Sequence, residues 1–321
     1  MTAARAPLVV AIDDGYAAYD QEEALLAEVG ARFALRPVRG RADATVEAVR
    51  DADVVLVRES PVPRSAIESM AHGRAVIRYG IGVDNIDQVA ARERRIHVAN
   101  VPDYGIDEVA TQTVALALAC VRRLPRHDAE VRAGRWSTGV LAPMHRLRGG
   151  TLGLVGYGRI ARMTHAMFAG FGFARVLVHD HHDELPAGVE PADVDTVCRE
   201  ADIVSLHVPL TAETHHLIDA RRLALMKPHA ILVNTARGGL VDLDALADAL
   251  PAGRLAGAGL DVFEHEPPDP KHPLFARDDV IVTNHIGWYS EESMRDLQRK
   301  AAEEAVRVLR GQPPRHWLNP W

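Results

Sequence analysis

Two cysteines, Cys120 and Cys198, are all that the 321 residues contain, and they stand far apart outside any CxxC spacing. That scarcity excludes a disulfide framework and a cysteine zinc site, and it fits a reducing compartment. No stretch approaches the roughly 18 apolar residues of a membrane-spanning helix. The amino-terminal run PLVVAIDD reaches aspartates too early for a secretory signal, so a cytoplasmic location away from membranes is expected. An excess of positive charge is missing too. Lys and Arg number 37 against 44 Asp and Glu, for a net charge of -7 and a pI near 6.1, which argues against nucleic acid as the main partner. Low-complexity tracts and repeats of about 20 to 50 residues are also absent. What is present is ordinary globular composition, 47% apolar and 25% charged, in a chain long enough for two domains. A small-molecule partner is the expectation.

The first hundred residues alternate short β-branched runs (PLVVAID, ADVVLVR, AVIRYG) with amphipathic stretches (QEEALLAEVG, SAIESMA). Strands separated by helices predict parallel β-structure with crossover connections. The segment HVANVPDYG, at 97–105, punctuates the chain before a long apolar helix at 106–124, which reads as a hinge and a new domain. A second alternating series follows through TLGLV, ARVLVHD, ADIVSLHVP, AILVNTA, LAGAGLDVF and DVIVTNH. Its strands are continuously apolar, which predicts a doubly wound sheet covered on both faces. An amphipathic helix at 290–311 is predicted to return to the first domain.

Gly156, Tyr157, Gly158, Arg159, Ile160 and Ala161 follow the strand TLGLV and open a helix, and Asp180 ends the next strand 22 residues past Gly158. Glycines there let backbone amides approach a pyrophosphate at a helix amino-terminus, while the acid binds the adenosine ribose. Asp180 would repel a 2′-phosphate and no arginine follows it, so NAD(H) is expected over NADP(H). The adjacent His181, His182 and Asp183 could form a metal cluster, but a solvated loop beside the ribose is the reading preferred, and no metal is expected. Farther on, three successive predicted strands end at VNTARGG, GLDVFEHEPP and NHIGWYS. Strand carboxy-termini line the ligand crevice of such a sheet. Arg237, an acid among Asp261, Glu264 and Glu266, and His285 therefore fall along one edge. A guanidinium fork can hold a carboxylate and polarise a neighbouring carbonyl, while a histidine beside a glutamate favours its protonated form and moves a proton.

These stretches, with RYGIGVDNID, VANVP and HVPLTAETHHLI, resemble the D-isomer-specific 2-hydroxyacid dehydrogenases over nearly the full length. HIGWYSEES and NTARGGLVD are most similar to the C-terminal-binding-protein branch of that family. The resemblance implies two Rossmann-like doubly wound α/β domains with an active-site cleft between them. Residues 1–100 plus 291–321 would form a flavodoxin-like substrate domain, and 101–290 the NAD-binding domain. It implies that Arg237, Glu266 and His285 are catalytic, with Glu266 partnering the general acid/base His285. Arg78, the backbone of Gly80, Ile81 and Gly82, and Trp288 would bind substrate. Arg159, Ile160, His207, Val208, Pro209, Thr214, Thr235, Ala236 and Asp261 would join Gly156, Gly158 and Asp180 around NAD(H), Asp261 at the nicotinamide carboxamide. A homodimer through the long helix after the hinge is also implied.

The expected activity is interconversion of a 2-keto acid and a D-2-hydroxy acid by hydride transfer. A coenzyme-sensing scaffold of the corepressor type and a phosphonate-type anionic substrate are the alternatives. Glu266 argues against formate, since family members that oxidise formate carry glutamine there, and the short end after the last helix argues against the corepressor reading. Arg58, after the strand ADVVLV, would add cationic charge for a second anionic group on the substrate, unless it simply pairs with Glu59.

Overall fold

The structure is a computed structural model that describes residues 5–136, 143–181 and 185–321. In chain order the first elements are β1 (Leu8–Ala11), α1 (Asp20–Ala27), β2 (Arg32–Leu35), α2 (Ala42–Val49), β3 (Val54–Val57), α3 (Arg64–Ser69), β4 (Ala75–Arg78), α4 (Gln88–Glu93) and β5 (His97–Ala99). There follow α5 (Ile106–Val121), α6 (Leu124–Arg132), β6 (Thr151–Val155), α7 (Arg159–Phe168), β7 (Arg175–His179), β8 (Glu190–Pro191), α8 (Val194–Glu200) and β9 (Ile203–Leu206). The chain closes with α9 (Ala220–Leu225), β10 (Ile231–Asn234), α10 (Leu243–Ala249), β11 (Gly257–Leu260), β12 (Val280–Val282) and α11 (Glu291–Leu309). Two compact units result: Met1–Gly105 with Ser290–Trp321, and Ile106–Tyr289.

The first unit is built on a five-stranded sheet in the order β2-β1-β3-β4-β5, every pair parallel. Its central strands β1 and β3 are buried at every residue, because helices cover both faces. Helix α11 packs on α1 in this unit. It starts at a capping box in which Ser290 and Ser293 satisfy each other's backbone N–H groups.

The second unit carries a seven-stranded parallel sheet, β12-β11-β10-β9-β6-β7-β8. Strand order reverses between β6 and β9, so the crevice for a ligand opens beyond their carboxy-terminal ends. Short helices here begin at aspartates: Asp193, Asp219 and Asp242 each accept an N–H of the first turn, which replaces one missing helical hydrogen bond. The helix expected over 106–124 ends at Val121 instead, and α6 restarts after Arg123, which has a φ of 49°. Pro125, lacking an N–H, fits only the first turn of a helix, so the chain breaks there and begins again.

Candidate active site

The glycine-rich turn sits at the switch point of the second sheet. Gly156 has a φ of 93°, and a Cβ on it would lie 2.8 Å from the carbonyl oxygen of His207, so only glycine lets the ends of β6 and β9 meet. Gly158 is different. It caps α7, and the space its Cβ would take holds no other atom within 4 Å. The amino-terminus of a ten-residue helix therefore faces an open cradle, which fits a pyrophosphate. Asp180, at the end of β7, accepts the Tyr157 N–H and so fastens the turn beside which a ribose would lie. His181 follows it; His182 and Asp183, the rest of the metal alternative, lie outside the described residues. Arg159 and Ile160 form the first turn of α7. The residues present fit NAD(H).

Around β9, burial pushes the His207 imidazole down to about 4, and its Nε2 lies 2.9 Å from Ser205 Oγ. Val208 packs at 3.0 Å from the place a Gly156 Cβ would occupy. Pro209 and Thr214 shape the following loop: the Thr214 hydroxyl donates to the Pro209 carbonyl at 2.7 Å and accepts the Thr211 N–H at 2.7 Å.

Strands β10, β11 and β12 are neighbours and end in register, which places their following residues side by side. After β10, Asn234 closes a turn by accepting the Ala236 N–H and donating to the Arg237 carbonyl. Gly238 makes the closest approach: a Cβ there would stand 1.8 Å from the Phe263 carbonyl carbon, so the Arg237 turn lies directly on the segment that leads to Glu266. Glu266 accepts the Phe263 N–H at 2.9 Å through one oxygen and meets His285 Nδ1 at 2.7 Å through the other. Burial pushes the Glu266 carboxyl up. The hydrogen bond to His285, the Phe263 N–H and the charges of His285 and Arg237 outweigh burial and hold it below the usual carboxylate value. His285 itself has a φ of 56°, an unusual conformation for a residue with a Cβ.

Asp261 explains how that conformation persists. Buried at the end of β11, it accepts the Thr283 hydroxyl at 2.5 Å, the Ile286 N–H at 3.0 Å and the Gly287 N–H at 2.8 Å, while its carbonyl accepts the His285 N–H at 2.7 Å. Both carboxylate oxygens thus hold the His285 loop, a second task beside the coenzyme contact the resemblance implies. Helix α5 supports the same edge: Gln112 donates to Thr283 at 3.1 Å, and Thr113 bonds to Thr235 at 2.7 Å. Sequence reasoning missed Gln112, Thr113, Asn234, Gly238 and Thr283. Only the paired glycines of NTARGG carry a visible signal, since a glycine beside a strand end marks close backbone approach. Trp288 is half-buried, its ring edge-on to Tyr289.

In the first unit, Arg78 ends β4 and its guanidinium donates to the Tyr79 carbonyl. Gly80 has a φ of 144°, and Ile81 is held by its carbonyl, which accepts from the Asn100 side chain at 2.6 Å; Gly82 follows, half-buried. Tyr79 between them is anchored through its hydroxyl to the buried Glu22 at 2.8 Å. Asp13 organises the turn after β3 by accepting the N–H groups of Arg58, Glu59 and Ser60. Arg58 pairs with Glu59 at 2.9 Å, the simpler of its two expected roles.

Residues 114–287 match the family of D-isomer specific 2-hydroxyacid dehydrogenases, NAD binding domain. The chain is 38% identical over 287 residues to a glyoxylate reductase of Thermococcus litoralis, covering 85% of this chain and 86% of that one. It is 40% identical over 280 residues to a D-3-phosphoglycerate dehydrogenase of Methanocaldococcus jannaschii, covering 85% of this chain but spanning only 53% of that relative. A solved structure from Thermus thermophilus superposes with a TM-score of 0.89 at 34% identity, covering 97% of this chain and 99% of that one. The chain belongs to the D-isomer-specific 2-hydroxyacid dehydrogenase family. It is an NAD-dependent oxidoreductase of the 2-keto acid and 2-hydroxy acid pair, on two parallel-sheet α/β units. Among the described residues no helix is long and apolar enough to cross a membrane.

Proposed function

We propose that the chain reduces a small 2-keto acid to the D-2-hydroxy acid, with Arg237, Glu266 and His285 carrying the chemistry. The pairing of His285 Nδ1 with Glu266 at 2.7 Å carries this reading. It leaves Nε2 as the ring nitrogen without a partner among the described residues, available to the substrate oxygen. NADH, held by the Gly156–Asp180 turn, would supply the hydride for C2 of the substrate. His285 gives its proton to the substrate oxygen, and Arg237 offsets the charge developing there while holding the carboxylate. Glu266, anionic across neutral pH, steadies the imidazolium and its orientation. In the reverse direction His285 takes the hydroxyl proton as the hydride leaves.

Arg78 and the backbone of Gly80, Ile81 and Gly82 are the proposed carboxylate contacts of the first unit. Arg58 is proposed for a second anionic group: Glu59, which it meets at 2.9 Å, is itself largely exposed, so a substrate anion can compete for the half-buried guanidinium. Trp288 is the proposed wall for an apolar substituent, and the kinship with the C-terminal-binding-protein branch rests on the same HIGWYSEES stretch. Relatives named glyoxylate reductase and hydroxypyruvate reductase support small, polar 2-keto acids as the first substrates to try. A homodimer through α5, in the cytoplasm, completes the proposal.

Replacing His285 with Ala is expected to leave NADH binding nearly intact and to lower turnover about a hundredfold or more. Single-turnover oxidation of NADH against a panel of 2-keto acids measures this. Unchanged turnover in the variant would remove His285 from the mechanism.

A further inference from the structure

A second cluster of ligand-type side chains lies in the same unit, outside the residues assigned to the reaction. His215 Nε2 is 2.8 Å from one oxygen of Glu264, and His216 Nε2 is 3.0 Å from the other. The two imidazoles stack, with ring centroids 4.0 Å apart and planes 20° from parallel. All three ligand atoms fall within 4.8 Å of one another. We propose that His215, His216 and Glu264 bind a divalent transition-metal ion of the zinc class, at a site the dehydrogenase reaction does not use.

Geometry is the first support. Two ligands of a tetrahedral zinc ion, each about 2.0–2.1 Å from it, lie roughly 3.4 Å apart. The two hydrogen-bonded separations, 2.8 and 3.0 Å, are somewhat shorter than that figure, so the carboxylate and the rings must part by a small side-chain rotation to admit an ion. Rigidity is the second. His216 has a φ of 49° and its N–H is held by the Gly239 carbonyl at 2.7 Å, while the His215 N–H is held by Thr211 at 2.9 Å. Glu264 is fixed from below, since its backbone nitrogen would lie 2.2 Å from a Cβ on Gly238. Two separate backbone segments, one carrying the adjacent histidines and one carrying Glu264, thus hold the ligands in place.

The surroundings fit as well. His216 Nδ1 faces an Asp242 oxygen at 3.9 Å, while the other Asp242 oxygen caps α10. At that distance Asp242 supplies a nearby negative charge rather than a hydrogen bond to the second ring nitrogen, which still favours a cation on the other nitrogen. Each ligand side chain is partly exposed, which leaves an entry path and a fourth position for water. Two imidazoles with one carboxylate select zinc, cobalt, nickel or copper over magnesium and calcium, which take oxygen ligands. Such an ion would tie the loop carrying Pro209 and Thr214 to the segment carrying Glu266, and so brace the coenzyme side of the site.

The test uses the full chain stripped by chelator and titrated calorimetrically with zinc chloride, alongside cobalt followed by visible absorption. One zinc per chain is expected, together with the intense cobalt bands of a tetrahedral site and a zinc-dependent rise in melting temperature. His215→Gln, His216→Gln and Glu264→Gln are each expected to weaken binding at least tenfold, roughly the least that losing even an outer partner costs. Retained NADH binding by these variants shows that they fold. Should one not fold, ring-proton shifts of two histidines on adding zinc to the unaltered chain stand in for it, and their absence counts against the site. Zinc affinity weaker than about 1 mM in the unaltered chain, or variants that bind zinc as tightly as the unaltered chain, overturns the proposal.

Discussion

At the scale of single residues, Asp261 and His285 show how an uncommon backbone conformation is maintained. A histidine with a positive φ of 56° costs of order 1–3 kcal/mol, and the buried Asp261 carboxylate offsets this with three hydrogen bonds to the loop around it. Asp261→Asn swaps one accepting oxygen for an NH2 that confronts an N–H or O–H donor. The variant is expected to lose about 1–3 kcal/mol of stability in urea unfolding and to fall in turnover, because His285 loses its place. If both quantities match the unaltered chain, Asp261 does not hold the loop.

At the scale of elements, two glycines in the second unit have opposite neighbourhoods and so give opposite expectations. Gly238 is pressed against the backbone of Phe263, and a methyl group there must push apart the turns that follow β10 and β11. Gly238→Ala should therefore destabilise by about 1–3 kcal/mol and separate Arg237 from Glu266, lowering turnover. Gly158 faces open space at the start of α7. Gly158→Ala should leave thermal stability unchanged while weakening NADH binding, since its methyl group would fill the open cradle proposed for the pyrophosphate. Calorimetric NADH titration with melting curves separates the two. A Gly158→Ala variant that binds NADH as before would mean the cradle lies elsewhere.

At the scale of the whole molecule, two buried groups give stability opposing dependences on pH. Burial lowers His207 from 6.5 to about 4, so the native state holds fewer protons than the unfolded chain between those values, and stability falls as pH drops through them. Glu22, buried among Tyr79 and Gln298, is raised above 4.5 by burial. Its contribution is complete below about pH 4.5 and is lost as pH rises through the raised value. Melting temperatures from pH 4 to 8 should therefore be flatter for His207→Gln below 6.5 and flatter for Glu22→Gln above 4.5. Identical profiles in all three proteins would show that neither group titrates differently on folding.

The order of amino acids alone was enough to read the parallel α/β architecture and the succession in which strand ends present arginine, acid and histidine. Both follow from local signals: continuous apolar runs mark covered strands, and glycine with a spaced aspartate marks a coenzyme turn. Residue pattern by itself left open which of Asp261, Glu264 and Glu266 partners His285; the family resemblance pointed to Glu266, and packing supplies the physical reason, because the three lie within six residues and differ only in what surrounds them. Asp261 is buried under the loop, Glu264 is taken by His215 and His216, and Glu266 is the one of the three that meets the His285 ring. The supports from α5 and the histidine pair on Glu264 were likewise illegible, since hydrogen bonds between residues 48 to 171 apart leave no periodic trace in the chain.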